Sequence, residues 1–211
     1  MVAATSRNGA AGGRSEADAA VAPGPRLRAD ARRNEGAILE AAKIVFARSG
    51  VDAPIREIAA EAGVGLATLY RRFATRADLV AAVFRREVDA CAAAAAPLAS
   101  EREPADALAA WLMHYTRFLA TKRGLAAALH SGDPAFASLP VYFRSRFEPA
   151  LSMLMTAAAE AGEVRGDVAP YDLLRAIGNL AVAPEKGGAA HTEKMVMLLI
   201  DGLRYGRARA K

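Results

Sequence analysis

The stretch from Ile55 to Phe73, IREIAAEAGVGLATLYRRF, constrains the fold more than any other part of this chain. Ile55, Ile58, Ala59 and Ala62 recur at helical spacing and make one apolar face. Pro54 suits a first helical position, where its missing N–H has no partner to lose. Gly63 supplies the left-handed backbone conformation that stops a helix sharply. Gly65 follows closely, and a second helix runs from about Leu66. In it Leu69 and Phe73 turn inward, leaving Thr68, Tyr70, Arg71 and Arg72 on the outer sides. Two short helices, a tight turn, and outward hydroxyls, an aromatic and arginines predict a helix-turn-helix fit to enter a DNA major groove.

The flanking chain offers the surfaces such a pair packs against. Ile38, Leu39, Ala42, Val45 and Phe46 mark a helix from about Asn34 to Ser49, with Gly50 as its stop. Thr75 opens another helix, its hydroxyl capping while Asp78 reaches back as the acidic half of a capping box. Leu79, Val83 and Phe84 carry the core face onward, and this helix runs to about Ala95, ahead of Pro97. Upstream, Met1 to Arg33 is rich in Ala, Gly, Pro, Ser and Arg without apolar periodicity, which predicts a disordered basic arm over 1–33. Its six arginines against three acids suit a minor groove beside the main contact. A solvated tail with no role is the competing reading.

The remaining chain reads as further helices. Pro97 to Glu103 forms a short linker, and Pro104 opens a helix with Leu108, Trp111, Leu112, Tyr115 and Leu119 on one broad face. A short helix spans Gly124 to His130, then SGDPAFAS makes a loop around the Asp133-Pro134 turn signal. Pro140 to Ala161 is a long helix striped by Phe143, Phe147, Leu151, Leu154 and Ala158 and ended by Gly162. Pro170 opens a helix to about Val182, APEKGGAAH is a loop, and Thr192 to about Arg207 is the last helix. Trp111, Tyr115, Phe118, Phe143 and Phe147, with Met153 and Met155, either fill a plain core or line an apolar cavity for a small molecule. His114 and His130 would add polar contacts there, or lie satisfied elsewhere.

From about Asn34 to Val88 the sequence resembles the N-terminal domain of TetR-family transcriptional regulators. ILEAAKIVFARSGVDA is followed by IREIAAEAGVGLATLYRRFATRADL, with the family's T-L-Y-x-x-F segment at Thr68 to Phe73 and a hydroxyl-basic pair at Thr75 and Arg76. Gly65 and Leu66 depart from the serine and polar or basic residue often found there, and Pro54 from a hydroxyl cap. The resemblance implies a DNA-binding domain over 34–88 and an effector-binding and dimerisation domain over 89–211. It implies Arg71 as the base reader, with Thr68, Tyr70, Arg72 and Arg76 on the DNA backbone and Arg56 near phosphate. It also implies an effector pocket among the C-terminal aromatics and a homodimer through the last two helices. Ala176, Gly178 and Ala181 permit close helix approach, and MVMLLIDGL is apolar around much of its circumference. Two-fold pairing matches a palindromic operator whose half-sites lie about 34–36 Å apart. A small molecule in the bundle then releases the DNA, through a coupling of about 1–3 kcal/mol. A TetR-like activator and a ligand-binding protein with a vestigial DNA head remain open alternatives.

Composition narrows the other classes. Hydrophobic residues make up 53% of the chain and aromatic ones only 6%, and few stretches alternate with period two, so an all-α fold is predicted. A net charge of +5 permits a nucleic-acid partner. The single cysteine, Cys91, rules out an internal disulfide. No apolar run approaches the ~20 residues that span a bilayer, and the N-terminus has no secretion-signal core, so a cytoplasmic protein is expected. No cofactor and no metal are expected, since His, Cys and acidic residues show no ligand spacing. Nucleophile elbows and phosphate loops are missing too, and the chain does not read as an enzyme.

Overall fold

In the computed structural model, which describes residues 25–120, 132–182 and 188–205, every regular element is helical. The first helix, α1 (Pro25–Ser49), starts well before the Asn34 expected from its apolar stripe. Pro25 fits a first helical position, and the alanines, arginines and leucine after it are good helix formers. The helix therefore extends back beyond its apolar stripe. This corrects the predicted disorder for residues 25–33; the rest of the arm lies outside the described residues.

Gly50, at φ +80°, ends α1, and α2 (Ile55–Glu61) follows. Pro54 stands just outside that helix at the N-cap, φ −58° and ψ 132°, rather than inside it. Proline disfavours helical backbone in the residue before it, so α2 does not begin ahead of the ring. α3 (Leu66–Arg72) and α4 (Arg76–Ala93) complete the head. Its core joins Ile38, Ala42 and Val45 of α1, Ile58 of α2, Leu69 of α3, Phe73, and Leu79 and Val83 of α4.

The expected linker from Pro97 to Glu103 is mostly helical: α5 (Ala95–Glu101) continues almost directly from α4 through Ala94. Pro97 falls in its first turn, where an N–H has no helical partner to lose. α6 (Pro104–Ala120) starts at its proline as predicted. The proposed helix Gly124 to His130 lies outside the described residues. Part of the SGDPAFAS loop is a single 3-10 turn, Pro134–Phe136, capped by Asp133, whose carboxylate accepts from the Ala135 N–H at 2.9 Å. α7 (Leu139–Glu160), α8 (Pro170–Val182) and α9 (Gly188–Tyr205) follow. The last begins inside the expected APEKGGAAH loop, so its 188–191 part is helix.

A second core lies between α4, α5, α6, α7, α8 and α9, centred on Trp111, Leu112, Phe147, Leu151, Ile177 and Val196. A third, smaller cluster of Val80, Ala81, Phe84, Phe136 and Leu139 lies between them, with Phe46 and Val51 of the head and Phe143 of α7 against it. α4 thus belongs to all three cores.

Candidate nucleic-acid interface

The turn before α3 is built by backbone alone. Gly63, at φ +65°, lets its own N–H reach the Ala60 carbonyl at 3.1 Å while Val64 N–H reaches that of Ala59 at 3.0 Å. This is the paired arrangement that ends a helix and satisfies its last carbonyls. Gly65 is then extended, φ −68° and ψ 145°, and its carbonyl accepts from Thr68 and Leu69 to start α3. A helix of this length does not hold itself together in water. Leu69 and Phe73, 1% and 6% exposed, pin it to the head.

The opposite side carries the chemistry. Tyr70 is 48% exposed, Arg71 and Arg72 are exposed, and Thr68 is half-buried. Arg71 donates through Nη2 to Thr68 Oγ1 at 3.0 Å, laying its guanidinium along the helix surface. Arg72 Nη2 is paired with the Glu35 carboxylate of α1. Between α1 and α3 runs a cleft of about 440 Å³ lined by Asn34, Glu35, Thr68, Arg71 and Arg72, among others. Arg56 is exposed in the first turn of α2.

Arg76 is placed differently from the expected DNA-backbone contact. Its Nη1 donates to the Val51 and Ala53 carbonyls at 2.7 and 2.6 Å, so the guanidinium is turned into the α1–α2 connection. The capping box beside it forms as predicted. Thr75 Oγ1 accepts from Asp78 N–H, and Asp78 Oδ2 from Thr75 N–H, each at 3.0 Å. That cap aims α4, and with it Arg76, toward the carbonyls of the α1–α2 connection.

The five aromatics named for a ligand site come together. Trp111 stacks on Tyr115 at 5.7 Å between ring centroids, and Phe147 stands edge-on to Trp111, Tyr115 and Phe118 at 6.2, 5.0 and 5.4 Å. Phe143 meets Phe147 at 6.4 Å and, on its other side, Phe84 of α4 at 6.0 Å. Trp111, Tyr115 and Phe147 are buried, whereas Phe118 and Phe143 are half-buried. Burial pushes the Tyr115 phenol far above its ordinary range, with Cys91 and then Tyr171 adding to it. Trp111 Nε1–H donates to the Cys91 carbonyl at 3.0 Å, tying α6 to the last turn of α4. His114 is exposed, and His130 lies outside the described residues.

Residues 38–83 match the model for bacterial regulatory proteins of the tetR family, and residues 103–205 that for the C-terminal domain of SbtR-like transcriptional regulators. A TetR transcriptional regulator from Streptomyces coelicolor is 38% identical in sequence, with a TM-score of 0.66 over 81% of this chain and 98% of its own. The chain belongs to the TetR family. A second member of known structure, from Mycobacterium vanbaalenii, is 34% identical with a TM-score of 0.63 over 84% of this chain and 99% of its own. An HTH-type transcriptional regulator of Staphylococcus aureus (strain USA300) is 39% identical over 64 residues, 30% of this chain. The chain spans about a third of the length of the curated relatives it matches, 35% for that regulator.

As a TetR-family member the protein is a DNA-binding transcriptional regulator, not an enzyme. No helix among the described residues is long and apolar enough to cross a membrane. Among the contacts of the TetR-type head that sequence reading missed is the one between Arg72 and Glu35. No local pattern signals it, because the partners lie on helices far apart in the chain. A second missed group links α4 to α7. Asp89 accepts from Tyr142 Oη at 2.7 Å and from Arg146 Nε at 2.6 Å, and Arg85 donates to Ser138 Oγ at 3.0 Å.

Proposed function

We propose that the protein is a homodimeric repressor that binds a palindromic operator and is released by a small molecule held in its C-terminal domain. The observation that carries this reading is the α3 face. The helix spends Leu69 and Phe73 on the head core and leaves Tyr70, Arg71 and Arg72 in solvent, where side chains reach base edges and phosphates. Arg71 reads a base edge, while Arg56, Thr68, Tyr70 and Arg72 hold the backbone. Arg76 serves from behind, by fixing the α1–α2 connection.

The effector enters beside Trp111, Tyr115, Phe118, Phe143 and Phe147. The Phe147–Phe143–Phe84 contacts support a path from there to α4, since a shift of α7 is felt at once by the helix that carries the head. The domains divide at 34–88 and 89–211, and the protein works in the cytoplasm, where its operator lies. Dimerisation uses α8 and α9, a choice supported by Met197, Leu198 and Tyr205, which are 46%, 57% and 84% exposed. Selection of genomic fragments with the purified protein, repeated across salt concentrations, tests this. One short palindrome with a steep salt dependence is expected; fragments without two-fold symmetry, or none above background, would refute it.

A further inference from the structure

The outward face of α3 is not wholly polar. Leu66 is 45% exposed and lies one helical turn from Tyr70, itself 48% exposed, so the two share a face; Ala67 beside Leu66 is exposed as well. Neither belongs to the head core, which takes only Leu69 from this helix. A lone exposed leucine is ordinary, but this one sits among Thr68, Tyr70 and Arg71 on the surface that meets DNA. Gly65 precedes it with open space around its α-carbon and an unstrained φ of −68°, so the fold itself does not call for glycine there. With no side chain at 65, the glycine itself adds no bulk ahead of the first turn of α3.

In the major groove the base edges are donors and acceptors, with one apolar exception, the C5-methyl of thymine. A leucine pressed against a cytosine amino group or a guanine carbonyl strands a polar atom, whereas against a thymine methyl both partners leave water. We propose that Leu66, with Ala67, reads the C5-methyl of a thymine in each operator half-site and is a specificity-determining residue. This inference rests on the DNA-binding reading above. Arg71 supplies the hydrogen-bonded part of the readout, and Leu66 supplies a part that senses a methyl group alone.

Deoxyuridine isolates that methyl, because it keeps the pairing edge of thymine and lacks only the C5 group. Binding of the full-length protein to its selected operator would be measured with each thymine of one half-site replaced in turn by deoxyuridine. One or two positions should lose roughly fourfold in affinity, the worth of one buried methyl group, with the others little changed. Leu66→Ala should weaken the normal operator by a similar factor and abolish the difference between thymine and deoxyuridine at those positions. A flat scan with the unaltered protein would overturn the inference whether or not the variant folds, as would a methyl preference that survives Leu66→Ala. A specific operator with a flat scan refutes this inference alone, whereas the lack of any specific operator would refute the DNA-binding reading and this inference together.

Discussion

Arg71 and Arg72 are adjacent in the chain but have different partners, a hydroxyl on their own helix and a carboxylate on α1. Arg71 keeps most of its donors for DNA, so Arg71→Ala should cost about 1–3 kcal/mol on the operator and relax its sequence preference. Arg72→Ala also leaves Glu35 uncompensated near the phosphates. It should weaken all sequences alike and lower the salt slope by about one. Competition binding against scrambled DNA, at several salt concentrations, separates the two outcomes. Arg76→Ala belongs to another class, because it takes the donor from two carbonyls in a partly buried turn. Unfolding should show a loss of about 1–3 kcal/mol with the DNA salt slope intact. A reduced slope at unchanged stability would return Arg76 to the phosphate backbone.

Among the elements, α3 is the one most dependent on others. It holds its place through Leu69, Phe73 and the glycine turn before it, and the start of α4 limits how far its end can stray. The box at Thr75 and Asp78 organises that start with reciprocal bonds. Thr75→Ala should destabilise the head by about 1 kcal/mol, and Thr75→Ser should recover most of it. The check is a shifted urea midpoint at constant slope. The α4–α5 junction shows the same dependence. Ala94 stays helical there, and the Trp111 indole takes a carbonyl of the last α4 turn.

The link between DNA head and C-terminal bundle runs along α4 and α7, by rings on one side and the Asp89 cluster on the other. Burial first, then the hydrogen bond and charge of Asp89, hold the Tyr142 phenol above its ordinary value, against Arg146 and Arg85. A raised phenol contributes stability in full below its unfolded pKa of about 10 and loses it as pH climbs through the folded value. The stability gap between the native protein and Tyr142→Phe should therefore stay flat from about pH 7 to about 9 and narrow in stronger alkali. Denaturant titrations across that range decide it, and a gap that widens with pH would sink the assignment. For the proposed dimer, Leu198→Glu puts a charge on the exposed face of α9 without touching its buried row of Val196, Ile200 and Leu203. Sedimentation should show a monomer, and operator affinity should fall with it, because each half-site is then held alone.

Features set within a few residues of one another are legible along the chain: the glycine stops at 50, 63 and 162, the Thr75 box, the inward Leu69 and Phe73, and the outward Tyr70 and Arg71. Caps and apolar periodicity act over a turn or two of chain, so they can be read along it. A single local signal taken alone misleads. Pro97 suggested a linker but lies in the first turn of a helix, and the missing apolar stripe before Asn34 suggested disorder where good helix formers carry α1 back to Pro25. Which groups meet across helices is settled by packing in three dimensions. Arg76 faces Val51 and Ala53, Glu35 holds Arg72, Asp89 receives Tyr142 and Arg146, and the rings of α6 close on those of α7. Such pairings join residues tens of positions apart, and packing selects among the many partners that charge and hydropathy alone would allow.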